Sequence, residues 1–241
     1  MRMIRHLLLA GTALVALAPA AARAQDGRHF IDSWFVGAKG GVLTFWTSEV
    51  SHAPATLAGV ETMITRSRAA LYLSADESMF AENGTFTIYN KDPEDPGSFD
   101  VKDSAGVIPV GTGTVRMHNL RRYQASLYAF PLKRGGIRPY LGVGIVLNEV
   151  RKTEITNMSF VAPVDSLPQP CCAVAASLES ARSTTSAIFT AGVQAQFARA
   201  SLFGHATIMP ENSRFLFGRR APFSIEGGIR YNIGPSREPV R

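Results

Sequence analysis

Between Ile137 and Asn148 the chain alternates strictly. Ile137, Pro139, Leu141, Val143, Ile145 and Leu147 fall on one face, and Arg138, Tyr140, Gly142, Gly144, Val146 and Asn148 fall on the other. A period of two predicts a strand, because successive side chains of extended backbone point to opposite sides of the pleat. The pattern returns seven times. Trp34 to Trp46 sets Trp34, Val36, Ala38, Gly40, Val42 and Trp46 against Phe35, Gly37, Lys39, Gly41, Leu43 and Phe45. Thr56 to Thr65 sets Ala58, Val60, Thr62 and Ile64 against Glu61. From Ala69, Leu71, Leu73 and Ala75 oppose Tyr72, Ser74 and Asp76, and this strand is expected to run on toward Phe86 or Tyr89. Tyr123 to Leu132 places Tyr123, Ala125, Leu127 and Ala129 opposite Arg122, Gln124, Ser126, Tyr128 and Phe130, and reaches back through Val115 and Met117. In Ala187 to Phe197, Ala187, Phe189, Ala191, Val193, Ala195 and Phe197 oppose Ile188, Thr190, Gly192, Gln194 and Gln196. Leu202, Gly204, Ala206 and Ile208 oppose Phe203, His205, Thr207 and Met209. The last segment sets Phe223, Ile225, Gly227, Ile229, Tyr231 and Ile233 against Ser224, Glu226, Gly228, Arg230 and Asn232.

The connections divide into two kinds. Arg66 to Arg68, Lys133 to Gly136, and Ala198 with Arg199 are short, which makes the strands they join antiparallel hairpins. Lys91 to Gly113 is rich in Asp, Pro, Gly and Ser and reads as a long exposed loop. Arg151 to Thr185 loses the alternation and carries prolines at 163, 168 and 170, so a second long loop is expected there, with a helical turn around Ala173 to Ser183. Pro210 to Ala221 is a third polar excursion. Tight turns therefore gather at one end and excursions at the other.

Charge decides which face looks outward. The apolar face of the last five segments carries no Asp, Glu, Lys or Arg, whereas the opposite face carries Arg122, Arg138, Glu226 and Arg230, joined by Lys39, Glu61 and Asp76 from the first three. Turned into hydrocarbon, the apolar face needs no partners, and the ionised groups are enclosed together. A lipocalin-like soluble barrel would put its apolar face inward around a ligand. The expectation is an all-β fold: an eight-stranded antiparallel up-and-down transmembrane β-barrel with long extracellular loops and short periplasmic turns. Trp34 and Trp46, at the two ends of the first strand, are candidate interface aromatics.

The beginning of the chain agrees with that destination. Arg2 and Arg5 precede an apolar run from Leu7 to Ala18, and small residues stand at Ala22 and Ala24. This is the pattern of a cleaved secretory signal peptide over residues 1–24, which leaves a barrel over 25–233 and a short tail over 234–241. Losing that segment removes three arginines and no acids, so the formal charge of +6 falls to +3. Nucleic acid is not an expected partner of so mildly basic an exported chain. No later stretch approaches the ~20 uninterrupted apolar residues of a spanning helix. Cys171 and Cys172 are adjacent, and neighbouring cysteines close at best a strained ring, so no structural staple, metal site or cofactor is assigned to them.

With these residues in view, Trp34 to Ile233 resembles the small eight-stranded outer-membrane proteins of Gram-negative bacteria, the OmpA- and OmpW-like porin-family barrels. Glu226, Gly228, Tyr231 and Ile233 are similar to the polar, glycine, aromatic, hydrophobic spacing of that family's C-terminal insertion signal, although the tail GPSREPVR follows in place of a terminal aromatic. The resemblance implies residence in the cell outer membrane as a monomer, with outer-membrane lipid, lipopolysaccharide and the barrel assembly machinery as partners.

The candidate constellation is the luminal set Lys39, Glu61, Asp76, Arg122, Arg138, Glu226 and Arg230. An eight-stranded barrel has an interior about wide enough for side chains to fill. These groups either pair and plug the lumen in a structural role, or rearrange to open a narrow pore. The resemblance adds a third reading, a conduit for small hydrophobic molecules lined by Phe35, Leu43, Tyr72, Phe130 and Phe203. A lipid A-modifying enzyme is the alternative of another class. His205 is the strand histidine that points inward, and no Ser or acid is expected to form a triad with it. No catalytic residue is assigned, and the chain is read as a non-enzyme.

Overall fold

The computed structural model describes residues 30, 32–45, 53–90, 99–101, 108–132, 136–160, 170–197, 199–210 and 221–234. Residues 1–24, where a signal peptide is expected, Trp46 and most of the tail lie outside these residues. The strands are β1 (Trp34–Phe45), β2 (Ala53–Arg66), β3 (Ala69–Asn90), β4 (Phe99–Asp100), β5 (Ile108–Ala129), β6 (Ile137–Phe160), β7 (Ser183–Phe197), β8 (Ala200–Ile208) and β9 (Phe223–Asn232), with helix α1 (Pro170–Ala181) between β6 and β7.

Each long strand pairs antiparallel with its neighbours in the order β2-β1-β9-β8-β7-β6-β5-β3, and the pairing of β2 with β3 closes the sheet into an eight-stranded barrel. The two-residue β4 is an addition on β3 outside that ring. Closure leaves no edge within the wall, which a sheet in hydrocarbon requires because lipid offers backbone groups no partner. Strands meet by short turns at 67–68, 130–136 and 198–199, all at the end where β1 begins and β9 finishes. The Ile233 N–H donates to the Trp34 carbonyl there, at 2.8 Å.

The side-chain allocation is inside out relative to a water-soluble barrel. Leu141 is 64% exposed, Val143 55% and Ile229 52%, whereas Arg138 is 1% exposed and Arg230 0%. Two dozen large hydrophobic residues stand exposed on the described surface. Most lie on the outer wall as a continuous band, far beyond the patch of a few hundred Å² a soluble monomer shows. Along β6 the band runs from Ile137 to Leu147, the length of strand that spans a bilayer at the usual tilt. Trp34 and Tyr231 project outward near the short-turn end of the wall and Tyr123 near the other end.

Inside, bulk is fitted against its absence. A side chain at Gly142 would place its Cβ 2.2 Å from the Tyr128 ring, and one at Gly192 would stand 2.6 Å from the Tyr140 ring. The inward glycines are the recesses into which the neighbouring strands' aromatic rings fold.

Two expectations from the sequence are corrected. β3 runs to Asn90, in keeping with the expected continuation toward Tyr89, but β5 starts at Ile108 and runs for 22 residues, and β6 continues to Phe160 for 24. Residues 108–113, expected within the first long loop, are strand, as are 151–160 of the second; α1 begins at Pro170, ahead of the helical turn expected from Ala173. The cause is physical. These three strands continue beyond the apolar band, where water replaces lipid and the outer face no longer has to be apolar, so the contrast that advertises a strand fades. The face also changes parity. Asn119 has φ of 52°, and on its far side Val115 and Met117 are buried although two-residue counting puts them on the face of Tyr123. The β3–β5 ladder shifts register between Ser78 and Ala81 opposite this point.

Gly142→Leu is expected to reduce sharply the fraction that migrates as a folded barrel in unboiled detergent gels, since overpacking costs at least about 1–3 kcal/mol. Leu141→Ala, one residue away on the outer wall, is expected to leave that fraction nearly unchanged.

Candidate functional site

The enclosed side chains form three layers. Nearest the short turns is an aromatic plug of Phe30, Phe35, Met63, Ala70, Tyr72, Tyr128, Phe130 and Tyr140, all buried. Tyr72 stacks on Tyr128 with centroids 4.7 Å apart, Tyr128 on Tyr140 at 4.9 Å, and Phe30 meets Phe130 edge-on at 4.7 Å. Phe30 precedes β1 and is held beneath the barrel by Thr65, whose hydroxyl donates to the Phe30 carbonyl. The Arg138 guanidinium lies 4.2 Å from the Phe30 ring centroid.

The middle layer is ionic. Lys39 on β1 reaches across to Asp76 on β3 and Glu226 on β9, at 2.7 Å each. Arg122 on β5 approaches the same two carboxylates, Asp76 at 3.5 Å and Glu226 at 3.1 Å. Two cations and two anions thus alternate around a closed four-membered circuit tying β1, β3, β5 and β9 together through the lumen. The Asp76–Arg122 side has a local origin, because these residues are directly opposed in the β3–β5 ladder. Ser74 accepts from Lys39 at 3.0 Å, and Ser224 donates to Glu226 at 2.5 Å.

A second clasp lies beside it. The Arg230 guanidinium engages Glu61 through Nε and a terminal nitrogen, and donates to Gln194 Oε1 at 3.0 Å. Tyr72 donates its phenol to Glu61 at 2.9 Å, and the Phe203 ring lies 3.8 Å from the Arg230 guanidinium carbon. All seven sequence-selected residues are buried. Six of them divide between the circuit and the clasp, while Arg138 sits apart against Phe30. Tyr72, Tyr140, Gln194, Ser74 and Ser224 complete the layers without having been selected as part of the network. Their signal was parity, since each occupies the same inward register as the charges.

His205 departs from expectation. Its Nδ1 lies 3.0 Å from the Tyr140 hydroxyl and its Nε2 3.4 Å from Glu226 Oε2, so an acid does stand beside it. Direct cross-strand pairing of His205 with Glu226 places it there. The order is wrong for a nucleophilic triad, because Ser224 meets the carboxylate and not the imidazole, and the whole group is buried.

The third layer, toward the long connections, is apolar. Leu43, Val115, Met117, Leu120, Val146, Val150, Ile188 and Met209 fill it. Helix α1 covers it with Val174, Leu178 and Ala181, a spacing that puts all three on one helical face. Ser177 on α1 accepts from the Val101 N–H at 3.1 Å and donates to Asp100 at 2.8 Å, and the Arg182 carbonyl just after the helix accepts from the Val150 N–H at 3.0 Å. Cys171 and Cys172 fall in the first turn of this helix. Beyond the apolar band, the hydrogen bond and charge of Lys152 hold the exposed Glu154 carboxyl below the usual carboxylate range.

Of the remaining sequence-selected residues, Glu226 and Gly228 face inward on β9, and Tyr231 and Ile233 project outward at its end. Phe35, Leu43, Tyr72, Phe130 and Phe203 are all buried filling. His118 lies 3.5 Å from Glu154 at the protein surface, and His52 is outside the described residues.

No family model and no curated protein matches the sequence. Among solved structures, Neisserial surface protein A aligns at 10% identity and a TM-score of 0.47, covering 83% of this chain and 97% of that one. The N-terminal β-barrel domain of Pseudomonas aeruginosa OprF aligns at 12% identity with a TM-score of 0.42, over 83% and 97%. Ail, the attachment invasion locus protein of Yersinia pestis, aligns at 8% identity with a TM-score of 0.39, over 83% and 95%. At such identities these likenesses carry nothing about function.

Glu226→Ala is expected to cost roughly 3–5 kcal/mol of stability in urea titration of the refolded barrel, because Lys39 and Arg122 are then left buried with Asp76 alone between them. Removing an exposed partner, Lys152→Ala, is expected to change it by no more than about 1 kcal/mol.

Proposed function

We propose that the protein is an integral outer-membrane β-barrel with a structural role in the cell envelope, and that its lumen is closed. One observation carries this reading: three successive layers of buried side chains, aromatic, ionic and apolar, occupy the lumen from the short turns to the helix across its other end. A narrow pore would have to displace the tyrosine stack and open the four-membered ionic circuit as well. Each buried charge stripped of its partner costs roughly 3–5 kcal/mol, so thermal fluctuation alone opens the circuit rarely. The outer-membrane assignment draws on the apolar wall, on the closed sheet, and on the signal-peptide pattern ahead of the barrel.

The aromatic residues considered for a hydrophobic conduit support the closed reading, because they are packed against one another and against Arg138 and Arg230. Assembly is assigned to the barrel assembly machinery, with the outward Tyr231 and Ile233 at the end of β9 as the recognised side chains and Glu226 and Gly228 completing the spacing.

In planar bilayers the purified protein is expected to give no reproducible conductance steps at moderate voltage. Discrete, repeatable steps from folded, heat-modifiable protein would end the closed-lumen reading.

A further inference from the structure

The outer wall changes character at one place. Where the apolar band ends at Tyr123 and Leu147, β3, β5 and β6 continue upward, and their outer face becomes basic. Glu77 lies between two guanidinium groups, Arg151 at 3.1 Å and Arg121 at 3.7 Å. Higher up, Glu154 contacts Lys152 and lies 3.5 Å from His118, and Arg116 stands opposite Glu154 in the β5–β6 ladder. Arg116, Arg121, Arg151 and Lys152 thus lie among three carboxylates on three adjacent strands, the third being Glu149, which stands opposite Arg121 in the β5–β6 ladder and 3.6 Å from Arg182.

The parity change at Asn119 builds this cluster. Val150 is buried, yet the next two residues, Arg151 and Lys152, are both exposed, so two consecutive cations reach the same surface. The side chains of Arg121, Arg151 and Lys152 are 40%, 47% and 67% exposed, and a guanidinium carries five donors, so those sharing Glu77 keep N–H groups for another acceptor.

We propose that Arg116, Arg121, Arg151 and Lys152 form a docking face for the phosphorylated headgroup of a membrane lipid whose acyl chains lie against the wall below. Charge complementarity selects the phosphate, and continuity with the apolar band selects a lipid over a free anion: the cations begin where Tyr123 and Leu147 hand over from hydrocarbon to headgroup. The inference rests on the outer-membrane reading, under which the long-connection end faces the leaflet that carries phosphorylated glycolipid.

The test uses the full mature chain refolded in neutral detergent and titrated with bisphosphorylated lipid A, with bound lipid read by native mass spectrometry. Each neutralised cation is expected to weaken binding by about fivefold, so Arg116→Gln with Lys152→Gln together should weaken it by more than tenfold, and all four substitutions further. The double variant leaves the Glu77 clasp intact and decides the matter if the fourfold variant does not fold. Dephosphorylated lipid A should bind the unaltered protein as weakly as the variants bind the phosphorylated form, and millimolar inorganic phosphate should not displace the lipid. Equal affinity in the variants, equal affinity for the dephosphorylated lipid, or complete displacement by phosphate would overturn the proposal. Loss of heat-modifiable migration in the unaltered protein would count against the barrel reading instead, so the two failures are distinguishable.

Discussion

Hydrocarbon offers no hydrogen-bond partners, and the rest of this structure follows from that constraint. Every backbone N–H and C=O within the band must be paired inside the protein, which forces the strands into a closed sheet, and the β2–β3 ladder is the seam that closes it. Closure with eight strands fixes a narrow lumen. Alternation then sends every second side chain into that lumen whatever its chemistry. Seven Lys, Arg, Asp and Glu side chains at inward positions are therefore buried by geometry, and six of them pair among themselves.

The ionic circuit is the answer the sequence supplies. Lys39, Asp76, Arg122 and Glu226 come from four strands: Asp76–Arg122 and Lys39–Glu226 join neighbouring strands, while Lys39–Asp76 and Arg122–Glu226 join strands that are not neighbours. Breaking such a set by removing one member costs far more than the intact set contributes over an apolar filling of the same shape. Its value is specificity: a strand slipped by one residue would turn these groups into lipid and bring leucines inside. The aromatic layer adds the same precision through shape, since the Tyr128 and Tyr140 rings fit only where Gly142 and Gly192 leave room.

Most of this was legible in the chain. Strict alternation from Ile137 to Asn148 identified a strand, the charge-free face identified the outer wall, and the spacing of short and long connections identified the two ends. Lys39 and Glu226, far apart in sequence, could be assigned to the same lumen by parity alone. Their pairing could not, because it depends on the register with which β1 and β9 close the barrel. The same limit hid the contact between His205 and Glu226. The far ends of β5 and β6 were obscured for another reason: once a strand leaves lipid, its outer face carries residues such as Arg151 and Thr156, and period-two contrast vanishes. The reversal at Asn119, which buries Val115 and Met117, left no sequence signal beyond an asparagine, a residue type that tolerates positive φ.

The account turns on which side of the wall meets lipid, and tryptophan quenching reads that directly. With Trp34 and Trp46 replaced by phenylalanine, a single tryptophan would be placed at Leu141, Val143 or Ile229 in the refolded protein, in bilayers whose acyl chains carry bromine at mid-depth. Strong quenching by the brominated lipid with little effect of aqueous iodide is the predicted result at all three positions. Quenching by iodide without any response to the brominated chains would contradict it.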